Sequence, residues 1–189
     1  MCPLFVLVLF SVLHCSRSDH PAPFFNGMYL EFKDPNNIQG SVPRIIYKLN
    51  SIDNASFKMS VDSYYSSGTS DNREFVVSRY GILSGNFIGK ISGSIKGVYS
   101  NVWIPMHNIT VGKNLGEGFS IEKIENWYGW KVYVVGNNMQ PSKEYYEIQS
   151  GLLVGFGGPV GTDRVEFILV DTNANLSVYS GQKANSLQE

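Results

Sequence analysis

Histidine and cysteine, the side chains that most often carry catalysis or bind metals, are scarce in this chain. Of three histidines, His14 lies in an apolar N-terminal run and only His20 and His107 follow it. Because His20 falls in the expected tether at residues 19–23, a Ser-His-Asp arrangement in the body would depend on His107 alone. Both cysteines, Cys2 and Cys15, fall in the first fifteen residues. We therefore predict no catalytic residue, no metal site and no cofactor.

Carboxylates and glycines offer two further kinds of chemistry. Two acidic side chains that face each other across strands can hydrolyse a glycosidic bond, and the candidates are Asp62, Glu74, Glu117, Glu122 and Glu125. Residues 171–175 space their oxygens like the first half of a calcium loop, but Leu176 stands at the glycine position, so we predict a turn there. Residues 155–161, GFGGPVG, lack the Lys-Ser or Lys-Thr of a phosphate loop and predict the end of a hairpin.

Aromatic side chains form the most unusual cluster in the sequence. Trp127, Tyr128 and Trp130 stand together around Gly129, and Trp103 precedes them. Rings so dense can stack on a sugar or hold an apolar ligand, although two tryptophans around a glycine can equally pin a corner of a sheet to the core. We predict Trp103, Trp127, Tyr128 and Trp130 as the ligand-binding residues, with the structural role as the alternative.

The N-terminus predicts export. Residues 4–13, LFVLVLFSVL, form an apolar run of about ten residues, which matches a signal-peptide core and is too short to span a bilayer. We expect a signal peptide at residues 1–18 and a secreted or cell-surface protein. In an alternative reading, Cys15 is lipidated and anchors the chain to a membrane, although His14 replaces the small residue usual before such a cysteine. N-glycosylation sequons at Asn54, Asn108 and Asn175 are compatible with export.

The body of the chain shows the period of two that is typical of β-strands. Apolar and polar residues alternate strictly over residues 57–62. Similar runs, separated by turn residues, cover residues 27–32, 44–49, 74–80, 95–99, 119–124, 130–135, 145–148, 152–156, 164–171 and 176–179. Ser150 and Gly151 predict the turn of one hairpin, and residues 121–130 leave room for a short helical turn. The predicted fold class is all-β: an antiparallel meander of about ten strands forming a curved sheet, a half-barrel or a sandwich.

Length and charge limit the organisation and the partners. With 189 residues and 43% hydrophobic residues, we expect a signal peptide at 1–18, a short tether at 19–23, a single β domain at 24–180 and a polar tail at 181–189. The net charge of −1 lacks the basic excess that binding to nucleic acid requires. A membrane is an expected partner only if Cys15 is lipidated.

The second half of the chain resembles a group of uncharacterised exported archaeal proteins. The resemblance covers about residues 101–173 and lies in Trp103-Ile104-Pro105, Val111-Gly112, residues 130–133, the hairpin at 145–156 and residues 168–173. It implies a secreted or surface β-protein and transfers no site. In the order of its strands only, the chain is similar to the half-barrel carriers that hold lipids or lipoproteins in the cell envelope.

These observations favour an extracytoplasmic binding module whose antiparallel sheet holds an apolar or glycan-like ligand, and they argue against an enzyme. A surface structural or adhesion domain that binds another protein through strand edges is the alternative. A hydrolase built on cross-strand carboxylates is the third reading.

Overall fold

The fold is all-β, as the sequence predicts. The computed structural model describes residues 21–35, 42–81, 102–116, 118–137, 140–160 and 163–176, and it has no helix in these ranges. The strands are β1 Met28–Lys33, β2 Arg44–Ser51, β3 Ser56–Tyr64, β4 Ser70–Ser78, β5 Asn114–Gly116, β6 Phe119–Trp127, β7 Trp130–Asn137, β8 Gln140–Glu147, β9 Leu153–Val160 and β10 Asp163–Thr172. Accordingly, a helix suited to crossing a membrane is not found in the described part of the chain.

All ten strands form one antiparallel sheet in the order β4-β3-β2-β1-β10-β9-β8-β7-β6-β5. Two meanders, β1 to β4 and β5 to β10, join where the first and last strands pair. The sheet is open, because its edge strands β4 and β5 are not neighbours in this order. The meander of about ten strands is therefore confirmed, and its strands share a single sheet instead of dividing into two.

Cross-strand pairing sorts the side chains into two faces, since directly paired residues point to the same side. One side, which we call the aromatic face, carries Phe32, Tyr47, Phe156 and Phe167. The side chains that alternate with these along each strand point to the other side, which we call the opposite face. Phe32 and its neighbour Leu30 are completely buried, so the aromatic face supplies much of the hydrophobic core.

Strand β9 corrects one prediction. Its glycines and proline predict the end of a hairpin, yet β9 runs through them from Leu153 to Val160. The strand tolerates glycine because its neighbours approach too closely for a side chain. A Cβ at Gly155 would lie 1.9 Å from the Trp127 ring, and one at Gly157 would lie 2.6 Å from the Val165 carbonyl oxygen.

Other predictions along the chain have mixed outcomes. The hairpin at Ser150-Gly151 is confirmed, because Gly151 has a φ of +72° and joins β8 to β9. The short helical turn expected at 121–130 is wrong, since β6 continues as a strand to Trp127. The strand expected at 95–99, most of the one expected at 176–179, and the polar tail lie outside the described residues.

The segment before β1 is packed against the sheet. Ala22, which falls in the region expected to be a tether, is buried, and its amide donates to the Arg79 carbonyl oxygen at 2.8 Å. Phe24 contacts the rings of Phe57 and Trp103 edge-on, with centroids 5.7 and 6.3 Å apart. Residues 21–24 therefore close the end of the sheet that carries the β2–β3 turn.

Candidate functional site

A continuous row of rings crosses the centre of the aromatic face. Phe32 of β1 contacts Tyr47 of β2 edge-on at 5.6 Å between centroids. On its other side Phe32 contacts Phe156 of β9 at 5.4 Å, and Phe156 stacks on Phe167 of β10 at 4.9 Å. The row therefore spans the seam where the first and last strands of the domain pair.

Burial along the aromatic face is uneven. Leu49, Phe57 and Val77, near the β2–β3 turn, have at most 8% of their surface exposed. Ile45 and Val61 of β2 and β3, Phe75 of β4 and Phe156 are only half-buried, although they point to the same side. One part of this face is therefore a sealed core, and another part presents apolar side chains that solvent can still reach.

Glu144 of β8 lies on the aromatic face among these rings. Its direct cross-strand partner is Phe156, and its carboxylate accepts a hydrogen bond of 2.7 Å from the hydroxyl of Tyr146. Tyr146 is completely enclosed, whereas Glu144 keeps some contact with solvent. Glu144 therefore lies at the border between the enclosed part of this face and solvent.

The electrostatics of Glu144 follow from this position. Burial raises the pKa of the Glu144 carboxyl, and the hydrogen bond from Tyr146 offsets part of that rise. Burial, together with the nearby Glu144 charge, also raises the pKa of Tyr146 and of Tyr47. Three strands, β1, β10 and β9, separate Tyr47 on β2 from Glu144 on β8 in the sheet order, so side chains of both meanders converge on this spot.

The predicted ligand-binding tryptophan Trp103 lies elsewhere. It is 2% exposed, and its indole nitrogen donates to the Ser150 carbonyl oxygen at 3.0 Å. It forms one wall of a recess of about 420 Å³ at the end of the sheet, where Met106 and His107 form other walls. Trp103 therefore belongs to the closed end of the core and to the border of a small second recess.

The remaining predicted aromatic residues, Trp127, Tyr128 and Trp130, form the β6–β7 hairpin end, on the opposite face. Trp127 stacks on Tyr145 at 4.2 Å between nearly parallel rings, and it is 9% exposed. Tyr128 is 54% exposed, and its hydroxyl donates to Glu166 at 3.2 Å. Trp130 is half-buried at the start of β7. Trp127 thus pins this corner to the sheet, and Tyr128 is the ring that solvent reaches most freely.

The carboxylates considered for hydrolysis are held by lysines. Asp62 pairs with Lys48 at 2.9 Å and Glu74 with Lys58 at 2.7 Å, both across neighbouring strands, and Glu125 pairs with Lys123 of its own strand at 2.5 Å. Glu122 is paired with Lys143. Glu117 lies outside the described residues.

The sequons and the calcium-like segment are the remaining predicted features. The sequon residues Asn54, Asn108 and Asn175 are all exposed. The calcium-like segment serves the sheet instead, because Asn173 accepts a hydrogen bond from the Tyr29 amide and donates one to the Gly27 carbonyl. Over the ranges that the structure covers, there is no cluster of three metal-ligating side chains. Cys15, the candidate for lipidation, lies outside these ranges.

The residues that sequence reasoning missed are Phe32, Tyr47, Phe156 and Glu144. Each stands singly in its own strand, and only the pairing of β1 with β10 brings them together. Alternation of apolar and polar residues could have placed Phe32 and Tyr47 on a buried face. It could not show that Phe32 contacts Phe156, the cross-strand partner of Glu144, or that Tyr47 lies near the Glu144 charge. No protein-family model matches this chain.

Proposed function

We propose that this protein is an extracytoplasmic binding module that holds an apolar ligand on the aromatic face of its sheet. The observation that carries the proposal is Glu144, a half-buried residue whose carboxyl has a raised pKa and lies beside Phe156 and Tyr146. A polar group among rings is the usual composition of a small-molecule site, in which apolar walls bind and a few polar groups orient the ligand. The predicted signal peptide supports a location outside the cytoplasm.

The chemistry of the site favours a ligand with one uncharged hydrogen-bonding group. A carboxyl whose pKa is raised resists ionisation and can donate or accept a hydrogen bond, as a hydroxyl group on the ligand would require. A ligand carboxylate would be repelled whenever Glu144 is ionised. A long-chain alcohol or a monoacylglycerol therefore fits better than a fatty acid of the same chain length.

Calorimetry on delipidated protein tests this proposal. The three ligands just named are titrated at pH 8, and we expect the alcohol and the monoacylglycerol to bind more tightly than the fatty acid. Phe156→Ala should weaken binding by about tenfold, because it removes an apolar wall. Glu144→Leu should keep the affinity for the chain and abolish the preference for the hydroxyl group.

The matched control is Val111→Ala, which shortens an exposed apolar side chain in a loop. It should leave all three affinities unchanged. Retained thermal unfolding and near-ultraviolet circular dichroism would establish that each variant is folded. Equal binding by wild-type protein, Phe156→Ala and Val111→Ala, or no binding to any of the three ligands, would rule out the aromatic face as the site.

A protein-binding surface domain is the second candidate, and strand β4 is the observation that favours it. β4 is nine residues long and stands at an edge of the sheet, where unpaired backbone groups can accept another strand. Asp71, Arg73 and Glu74 place charges along this edge, which opposes pairing with a second copy of the chain. Cross-linking through cysteines introduced on β4, with cell-surface extracts from the source, would reveal a partner.

A further inference from the structure

A groove lies on the opposite face, over β1, β2 and β3. Its volume is about 500 Å³, within the range of about 300–1,000 Å³ that is typical of small-molecule sites. Ile46, only 7% exposed, lies in the groove between its cross-strand partners Glu31 and Asp62. The half-buried rings of Tyr29 and Tyr64 stand toward its two ends. The groove thus combines an apolar floor with polar walls.

The distance between the two ends follows from the register. Tyr64 pairs with Arg44 and Tyr29 pairs with Lys48, so the tyrosines are offset by four residues along β2. Four residues of a strand correspond to about 13 Å. The groove is therefore long enough for an extended ligand of several small units.

The charges in the groove are balanced by pairs. Arg44 donates to Glu31 at 2.9 Å, and Lys48 donates to Asp62 at 2.9 Å. The Tyr29 hydroxyl donates to Asp171 at 2.9 Å. Because each cation has a carboxylate beside it, an anionic ligand would meet Glu31 and Asp171, and a cationic ligand would meet Arg44 and Lys48. The balance favours a neutral ligand with both donors and acceptors.

Two polar groups in the groove have unused hydrogen-bonding capacity. The Arg44 Nε is buried and has no hydrogen-bond partner in the described part of the chain, while its guanidinium carbon lies 5.3 Å from the centre of the Tyr64 ring. A buried donor without a partner is costly, so its persistence in a fold is typical of a functional position. The exposed amide of Asn50 likewise forms no side-chain hydrogen bond with described residues, and it is free to contact a ligand.

We propose that this groove binds a short neutral oligosaccharide. Sugars present apolar C–H faces and rings of hydroxyl groups, which match tyrosine rings, the Ile46 floor and the paired donors and acceptors around it. The site is independent of the proposed function, because it lies on the other face of the sheet and shares no residue with the Glu144 site.

Nuclear magnetic resonance titration of the 15N-labelled protein tests the proposal. The ligands are neutral oligosaccharides of two to four hexose or N-acetylhexosamine units, with uronic-acid and deacetylated amino-sugar oligomers of the same lengths for comparison. We expect a neutral oligomer to shift the amide resonances of β1 to β3, with little dependence on salt. Tyr64→Ala should weaken its binding by about tenfold or more, whereas Tyr64→Phe should preserve it.

Tyr80→Ala is the matched control, because Tyr80 is exposed and does not line the groove. It should leave saccharide binding unchanged, and Tyr64→Ala should still bind the apolar ligand that the Glu144 site takes. Asn50→Ala should also weaken saccharide binding. Because Asn50 is exposed, this variant tests the groove even if Tyr64→Ala fails to fold. Absence of binding by every neutral oligomer, salt-sensitive binding of the charged oligomers alone, or equal effects of Tyr64→Ala and Tyr80→Ala would overturn the proposal.

Discussion

Among single residues, Glu144 has the most unusual environment. It accepts a hydrogen bond from Tyr146 and lies directly across from Phe156, so the protein surrounds a carboxyl with rings instead of with a cation. Asp62 shows the contrast: burial would raise its pKa, but Lys48 and Asn72 together lower the pKa below its usual value. The two carboxylates differ in their partners, and only Glu144 is held in a form that favours the proton.

The raised pKa of Glu144 predicts how its contribution to stability depends on pH. The folded protein binds the Glu144 proton more tightly than the unfolded chain does, so the contribution is complete below the ordinary glutamate pKa of about 4.3. It is lost as the pH rises through the raised pKa. We therefore compare the free energy of unfolding of Glu144→Gln with that of wild type. The variant should gain stability relative to wild type as the pH rises from 4 to 8.

Urea unfolding from pH 4 to pH 8 measures this difference. Glu74→Gln is the matched control, because it makes the same exchange of a carboxylate for an amide at a residue that forms an ion pair with Lys58 at 2.7 Å. It should gain no stability relative to wild type as the pH rises. A pH-independent difference between Glu144→Gln and wild type would contradict the expected protonation.

At the level of elements, strand β9 and the β6–β7 hairpin depend on each other. The ring of Trp127 covers Gly155 of β9. The same ring stacks on Tyr145 of β8, the strand that lies between β7 and β9 in the sheet. The hairpin end is tight, with φ of +45° at Tyr128 and +84° at Gly129. Two consecutive residues with positive φ are typical of a two-residue hairpin turn, whose twist matches that of the strands. Glycine in β9 thus makes room for the corner that the hairpin folds over the sheet.

A side chain at Gly155 should break this arrangement. Gly155→Ala would place a Cβ 1.9 Å from the Trp127 ring and 2.8 Å from the Phe167 carbonyl oxygen. We expect a loss of about 1–3 kcal/mol in the free energy of unfolding, the range usual for overpacking. Chemical denaturation of Gly155→Ala, Trp127→Leu and the double variant measures it. The double variant should lose less than the sum of the single losses, and strictly additive losses would show that Trp127 is not the obstacle.

For the molecule as a whole, the pairing of β1 with β10 is decisive. It joins the two meanders and brings together residues more than 140 positions apart, such as Tyr29 and Asn173. The Asn173 side chain accepts from the Tyr29 amide at 2.9 Å and donates to the Gly27 carbonyl at 2.9 Å. Contacts so distant in sequence carry a large loop-closure entropy, so we expect this seam to form late in folding.

Removing the Asn173 side chain tests the seam. Asn173→Ala should cost about 1 kcal/mol, because it deletes two solvent-exposed hydrogen bonds and leaves their backbone donor and acceptor to water. The measurement is urea unfolding, with hydrogen exchange of the β1 amides as a local readout. Asn175→Ala, an exposed neighbour on unglycosylated protein, should change stability by less than about 0.5 kcal/mol. Equal effects of the two variants would show that Asn173 does not hold the seam.

The sequence allowed the strands to be predicted better than the site. Alternation at residues 57–62 places a strand there, and Gly151 marks a turn, because both signals arise from neighbours in sequence. The prediction for β9 was too short. Gly155 and Gly157 suit a strand because Trp127 and the Val165 backbone approach them closely, and these contacts come from residues distant in sequence. Propensity rules describe an average environment and do not contain that information.

By itself, the sequence determined the all-β class, most strand positions and the scarcity of histidine and cysteine, because these depend on local period and on composition. Only the tertiary structure decided that β1 pairs with β10, that Trp127 is buried at a hairpin corner, and that Glu144 lies among Phe156, Tyr146 and Tyr47. The physical reason is that the register of distant strands results from the packing of the whole sheet. The register therefore decides which side chains meet on the aromatic face and which line the groove on the opposite face.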